Sequence, residues 1–325
     1  MSPMARARPS KAPAAIDFAF ANLPTESVHP DAAHLDELPA EKVVQLMVGE
    51  EARAARAAAA RAPQIGRAAE RVAAKLAEGG RLVYVGAGTS GRLGTLDATE
   101  CVPTFGVPPS RVVAVIAGGA AALTRSVEGA EDSARDADQR LRRAAVGPND
   151  AVVAIAASGV TPFVHAALEY ARFRRAATIF VTCGHVADKG VADVVIQLDT
   201  GPEVISGSTR LKAGTATKIV LNAISTTAFV RLGKTYGGLM VDVRPTNAKL
   251  WARAVRIVRM LSGLDAAAAR KLIEKAGGRA KVALVMHHAA VPAARARELL
   301  QQHKGSLREI VGDLPMHELG VDEDV

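Results

Sequence analysis

The sequence predicts an α/β fold: a five-stranded parallel sheet flanked by helices, with N-terminal helices ahead of it and a small C-terminal all-helical domain behind it. Three observations carry this. The runs LVYV (82–85), VVAVIA (112–117), AVVAIA (151–156), TIFV (178–181) and VVIQL (194–198) are continuously apolar, the pattern of strands buried on both faces. Helical patterns separate most of these runs, as in βαβ units. Hydrophobic residues make up 49% of the chain but aromatics only 3%, the excess being mostly alanine and valine, which suits helices packed on a buried sheet.

Taken in order, residues 1–20 are basic and rich in Ala and Pro, and their apolar run AAIDFAF is short and broken by Asp17. They are expected to form a disordered basic tail and do not read as a signal peptide. Residues 21–80 form an N-terminal helical segment: Val43, Val44, Leu46 and Met47 set one helix, and a second from Pro63 to Glu78 stops at Gly79 and Gly80. Residues 81–245 hold the sheet. Its first strand feeds a glycine loop and a helix over 90–101, which is expected to end there because Pro103 turns Val102 away from helical geometry. Further helices are predicted over 133–145 and 161–175, a turn-rich link joins the fourth strand to the fifth, and a long helix runs to about Gly233. Residues 246–325 read as helices broken at Gly263, at Gly277 and Gly278, and at Pro292. No heptad pattern or repeat period is visible.

Several function classes fall away. The net charge of +8 on 325 residues is spread along the chain, with no basic block interleaved with aromatics as a nucleic-acid surface has, so the expected attraction is for an anionic small molecule. No apolar run approaches the roughly 20 residues of a membrane span. Cys101 and Cys183 form neither a CxxC pair nor a metal spacing, and a reducing cytoplasm is the expected location. The eight histidines are scattered, so no metal site is expected, and there is no GxSxG elbow for a hydrolytic serine.

The chemistry concentrates in loops that follow strands, where ligands of parallel sheets bind. Gly86, Gly88 and Gly91 match GxGxxG, but the second strand ends in Ala117, Gly118 and Gly119, without the acidic residue a dinucleotide ribose needs. What remains is a loop whose amides and hydroxyls, from Gly88, Thr89 and Ser90, surround a polar ligand at a helix N-terminus. Ser158, Gly159, Val160, Thr161 and Pro162 repeat the arrangement after the third strand. An ordinary serine or threonine cap is the plain alternative. Residues 201–218 add Glu203, Ser208, Thr209 and Lys212 as candidate contacts to a sugar or phosphate.

Two carboxylates complete the set. Glu100, at the negative end of its helix among Cys101, Val102 and Phe105, is expected to hold its proton and suits a general acid. Glu131 precedes a helix, whose positive end favours the ionised form and suits a general base. Two carboxyls in opposed surroundings divide acid and base work. Helix capping by Glu131 and a solvated helix end at Glu100 are the alternatives.

The segments GAGTSGRLGTLDATECVPTFG, IAASGVTPFV and GPEVISGSTRLKAGTATKIVLN resemble those of N-acetylmuramic acid 6-phosphate etherases, members of the sugar-isomerase (SIS) superfamily related to the glucokinase regulatory protein. The likeness runs from about Thr25 to the C-terminal helices. It implies a SIS-type sheet and cleavage of the D-lactyl ether of N-acetylmuramic acid 6-phosphate, by elimination and then hydration, to N-acetylglucosamine 6-phosphate and D-lactate. It implies no cofactor. Carried over, Glu100 in DATECVPTFG is the acid, Glu131 in EGAEDS the base, and Ser90, Ser158 and Thr161 the phosphosugar contacts, with Gly88 and Gly159 allowing close approach. The family often has a longer polar residue where this chain has Val160, which weakens a phosphate contact there. Ser90 and Glu100 lie about 15 Å apart along a continuous helix, so a homodimer with its site at or near the subunit interface is expected. A non-catalytic phosphosugar-binding regulator and a SIS-type sugar phosphate isomerase are the other readings.

Overall fold

The computed structural model describes residues 23–186 and 190–317. The basic tail expected over 1–20 lies outside the described residues. Helix α1 (Ala40–Ala59) and α2 (Ala62–Ala77) lead into strand β1 (Leu82–Gly86), and α3 (Gly88–Phe105) connects it to β2 (Val112–Ile116). Helix α4 (Ala134–Arg143), β3 (Ala151–Ile155), α5 (Pro162–Phe173), β4 (Ala177–Thr182) and β5 (Val194–Gln197) follow. All five strands are parallel, in the order β2-β1-β3-β4-β5. The chain reverses its direction of travel across the sheet between β1 and β3, so the loops that follow these strands diverge and leave a crevice.

Alternation along β1 assigns the two layers. Leu82 and Tyr84 face a core shared with α1, α2, α3 and α6 (Lys212–Arg231), while Val83 and Val85 face one shared with α4 and α5. Small residues in the first layer, such as Ala54 and Ala57 of α1 and Ala213 and Ala216 of α6, let these helices lie close together. The N-terminal helices are therefore part of the sheet's own core, and not a segment set apart at residue 80.

Helix α3 departs from the sequence reading. It passes through Pro103 and ends at Phe105, with Gly106 in the left-handed conformation as its cap. The preference of a pre-proline residue for extended backbone is overcome by burial of the last turn, where the Phe105 ring stacks on Phe229 of α6 at 4.5 Å between centroids.

The C-terminal part breaks where the sequence predicted, into α7 (Ala248–Ser262), α8 (Ala266–Lys275), α9 (Ala280–His288), α10 (Ala293–Gln302) and α11 (Arg308–Val311). Asn247 and Asp265 cap α7 and α8 with their side chains. These helices enclose a separate core that also takes in Tyr236, Val241 and Val243. The junction thus lies ahead of residue 246. It is held by Lys281, whose Nζ donates to the Gly233 carbonyl at 2.6 Å and to Asp242 at 3.0 Å. Among the described residues no helix is long and apolar enough to cross a membrane.

Candidate active site

A cavity of about 340 Å³ opens at the crevice between β1 and β3. Its first wall is the start of α3, with Gly88, Thr89 and Ser90. Its second is the loop into α5, with Ser158, Val160 and Thr161. No side chain caps either helix, so the first-turn amides and the Thr161 hydroxyl are not spent on one another. Two helix N-termini with free hydroxyls give a site for an anion, phosphate above all. Ser158 Oγ accepts from the Val160 amide at 3.4 Å, and the His165 ring meets the Gly159 carbonyl at 2.7 Å, which fixes the turn. Gly159 is not itself a wall; at φ +85° it makes the bend that sets Ser158 and Thr161 on the same side. Val160 supplies apolar surface and a backbone amide.

Glu131 joins this group. It sits in the 3-10 turn Ala130–Asp132 and lines the cavity. The capping alternative fails, because Ser133 is the N-cap of α4 and its hydroxyl accepts from the Asp136 amide at 3.2 Å. The Glu131 carboxylate is left facing the cavity.

Glu100 does not join it. It is exposed on α3 and lines a separate, shallow hollow with Thr99, Pro103 and Val112. The helix runs five residues beyond it to Phe105, so Glu100 is not at the helix end. Nor do its neighbours enclose it: the Cys101 thiol turns inward to Asp97 at 3.8 Å and Phe105 stacks inside. The hollow has apolar walls in Val102, Pro103 and Val112, but it is open and leaves Glu100 exposed.

The 201–218 stretch divides. Thr209 and Gly207 line the cavity, whereas Ser208 builds the turn ahead of α6, its amide donating to the Ile205 carbonyl. Glu203 is buried, and its carboxylate accepts from the amides of Lys212 at 3.2 Å and Ala213 at 2.9 Å. It holds the first amides of α6 and does not line the cavity; burial pushes its carboxyl up despite the two amides. Lys212, only 1% exposed, is ion-paired with Glu50 of α1. The same Glu50 oxygen meets His29 Nε2 at 3.2 Å, and Arg53 lies at 3.8 Å. Burial opposes ionisation of Glu50, but Lys212, His29 and Arg53 outweigh it and hold the carboxyl below its usual range.

The sequence reading missed Leu23, Glu26 and Asp132 as cavity walls. It also missed a buried cluster in which Asp97 accepts from Tyr84 and Asn222 at 2.6 Å each and from Ser225 at 3.2 Å. Glu26 lies in the TESVHP stretch where the resemblance begins, but no spacing rule singles it out. Cys101 and Cys183 are free and buried; burial raises both thiols, Cys183 to about 12. Among the described residues no cluster of three or more His, Cys, Asp or Glu side chains is arranged to hold a metal ion.

The family model described as the glucokinase regulatory protein N-terminal SIS domain matches residues 64–172, the stretch from α2 to α5 that carries both helix N-termini and Glu131. An N-acetylmuramic acid 6-phosphate etherase of Gloeobacter violaceus is 54% identical over 270 residues, covering 82% of this chain and 88% of its own. One from Rubrobacter xylanophilus is 48% identical over 301 residues, 92% of this chain and 99% of its own. One from Deinococcus radiodurans is 48% identical over 290 residues, 89% and 95% respectively.

Proposed function

The chain belongs to the N-acetylmuramic acid 6-phosphate etherase family, and from that premise we propose that it cleaves the D-lactyl ether of N-acetylmuramic acid 6-phosphate, in recycling of cell-wall amino sugars. The observation that carries the reading is the single cavity in which two uncapped helix N-termini meet the Glu131 carboxylate. The phosphate sits at the N-termini of α3 and α5, beside Ser90, Ser158 and Thr161. In the open-chain sugar the C1 aldehyde acidifies the C2 hydrogen, which Glu131 removes as general base. The C3–O bond breaks as Glu100 gives its proton to the lactyl oxygen, leaving D-lactate and a C2=C3 double bond. Water then adds its hydroxyl at C3 and a proton at C2, giving N-acetylglucosamine 6-phosphate. Every step is a proton transfer, a β-elimination or a conjugate addition of water, so the reaction calls for no organic cofactor or metal.

The acid comes from a second copy of the chain, in a homodimer with its site at the interface. Three features support this. Glu100 is separated from Ser90 by ten residues of unbroken helix, about 15 Å. Leu96, one turn before it, is 49% exposed. The edge strand β2 is only partly buried along its middle, a face that a partner would cover. A cytoplasmic location fits the two free thiols.

The test is to supply N-acetylmuramic acid 6-phosphate and assay D-lactate. The wild-type protein is expected to release it, and Glu100→Gln and Glu131→Gln to lose about 10²–10⁴-fold in rate. Undiminished release by both variants would remove the acid and base assignments; none from the wild type would favour a regulator that only binds, and ketose–aldose interconversion without lactate an isomerase.

A further inference from the structure

The cavity has walls of two kinds. One presents donors, from the helix N-termini and hydroxyls already described; the other presents carboxylates, and among these Glu26 is held in an unusual way. Glu26 is exposed at the end of the 3-10 turn Pro24–Glu26, and the backbone there is pinned: Ser206 Oγ donates to the Glu26 carbonyl at 2.6 Å, and the Gly207 amide to the Thr25 carbonyl at 2.9 Å. A few residues on, buried His29 accepts the Asp31 amide at Nδ1, so its proton is on Nε2, directed at Glu50. The main chain is fixed at both ends while the Glu26 carboxylate takes no hydrogen bond from any described residue. Gly207, at φ +74°, leaves it room: a Cβ there would lie 2.7 Å from Glu26 Oε2.

An unspent carboxylate in an anion-binding cavity repels phosphate and serves only the part of a ligand that carries donors. We propose that Glu26 is a specificity-determining residue that accepts hydrogen bonds from the hydroxyl or amide N–H groups of a sugar phosphate whose phosphate lies at the N-termini of α3 and α5. This rests on the sugar phosphate reading given above. A site built to pair such donors rejects ligands that lack them, so Glu26 separates the sugar phosphate from phosphate alone.

The experiment is calorimetric titration of the full chain and of Glu26→Gln and Glu26→Ala, with N-acetylglucosamine 6-phosphate and with inorganic phosphate as probes. The alanine variant is expected to bind the sugar phosphate roughly ten- to a hundredfold more weakly, the loss of a hydrogen bond to a charged group, and the glutamine variant to fall between it and wild type. Phosphate is expected to bind all three equally, or the variants slightly more tightly because a negative charge is gone. Unchanged sugar phosphate affinity in both variants overturns the proposal. So does a parallel loss for phosphate, which would mean that Glu26 only supports the cavity's shape. Wild-type protein that binds neither probe and releases no lactate would instead overturn the sugar phosphate reading itself.

Discussion

Lys212 and Glu50 form a buried pair whose two members are not equivalent. Among the described residues Glu50 is the one acid ion-paired with Lys212, whereas Glu50 also meets His29 and Arg53. Glu50→Gln is therefore expected to destabilise the fold by about 3 kcal/mol, leaving a buried ammonium uncompensated, and Lys212→Met by clearly less; urea unfolding measures both, and equal losses would contradict the asymmetry. The pH dependence has a definite sign. Because the folded carboxyl titrates below its unfolded counterpart, its contribution is complete above the ordinary carboxylate range and disappears as pH falls through the folded value. Melting temperatures taken downward from pH 6 should fall more steeply for wild type than for Glu50→Gln. None of this was legible in the sequence: Lys212 was singled out for its donor-rich surroundings, but the acid that claims it lies on α1, far away in the chain. The Asp97 cluster escaped for the same reason, since Tyr84, Asn222 and Ser225 are joined only by the fold. The position of Glu131 ahead of a helix was legible because it is a local property.

Among the elements, α3 joins the cavity to the sheet and to α6. Its first turn is a wall of the cavity, its middle carries Glu100, and its last turn is locked by Phe105 against α6. Its cap is tied to the other domain as well. Gly106 sits at φ +63°, and a Cβ there would lie 2.2 Å from the Asp242 carbonyl oxygen, in the segment that leads into the C-terminal helices. Gly106→Ala is expected to cost about 2 kcal/mol or more, from left-handed backbone strain together with a clash, and to shift the denaturation midpoint accordingly; a change under about 0.5 kcal/mol, the scale of a neutral surface substitution, would mean that the joint gives way. Sequence rules found this helix but ended it too early and missed its glycine cap, because the pre-proline rule is local whereas the stacking of Phe105 on Phe229 joins residues far apart.

For the whole molecule, the five parallel strands and the loops that follow them were readable from the alternation of apolar runs and helical patterns, whereas the order of the strands across the sheet was not. The domain divisions were less so. Whether α1 and α2 stand alone or cover the sheet depends on which face of each helix finds a partner, and composition is silent on that. The same holds for Glu100, which lies away from the cavity in the protomer and for which we propose a role across a dimer interface. If two copies share each site, inactive Glu100→Gln and Glu131→Gln proteins, mixed and allowed to exchange subunits, should regain lactate release, because a hybrid pairs an intact base from one protomer with an intact acid from the other. No recovery despite proven exchange would assign both carboxylates to one chain.

The cavity wall that carries Glu26 has a practical consequence. It belongs to neither of the sheet's cores, and among the described residues its hydrogen bonds and ion pair to the rest of the chain run to Ser206, Gly207 and Glu50, so we expect it to open at a lower cost than the sheet and helices. Ageing, tagging or a protease nick near residue 30 can then silence a preparation whose melting curve and helical signal look sound, and ligand binding, rather than foldedness, is the measure of its quality.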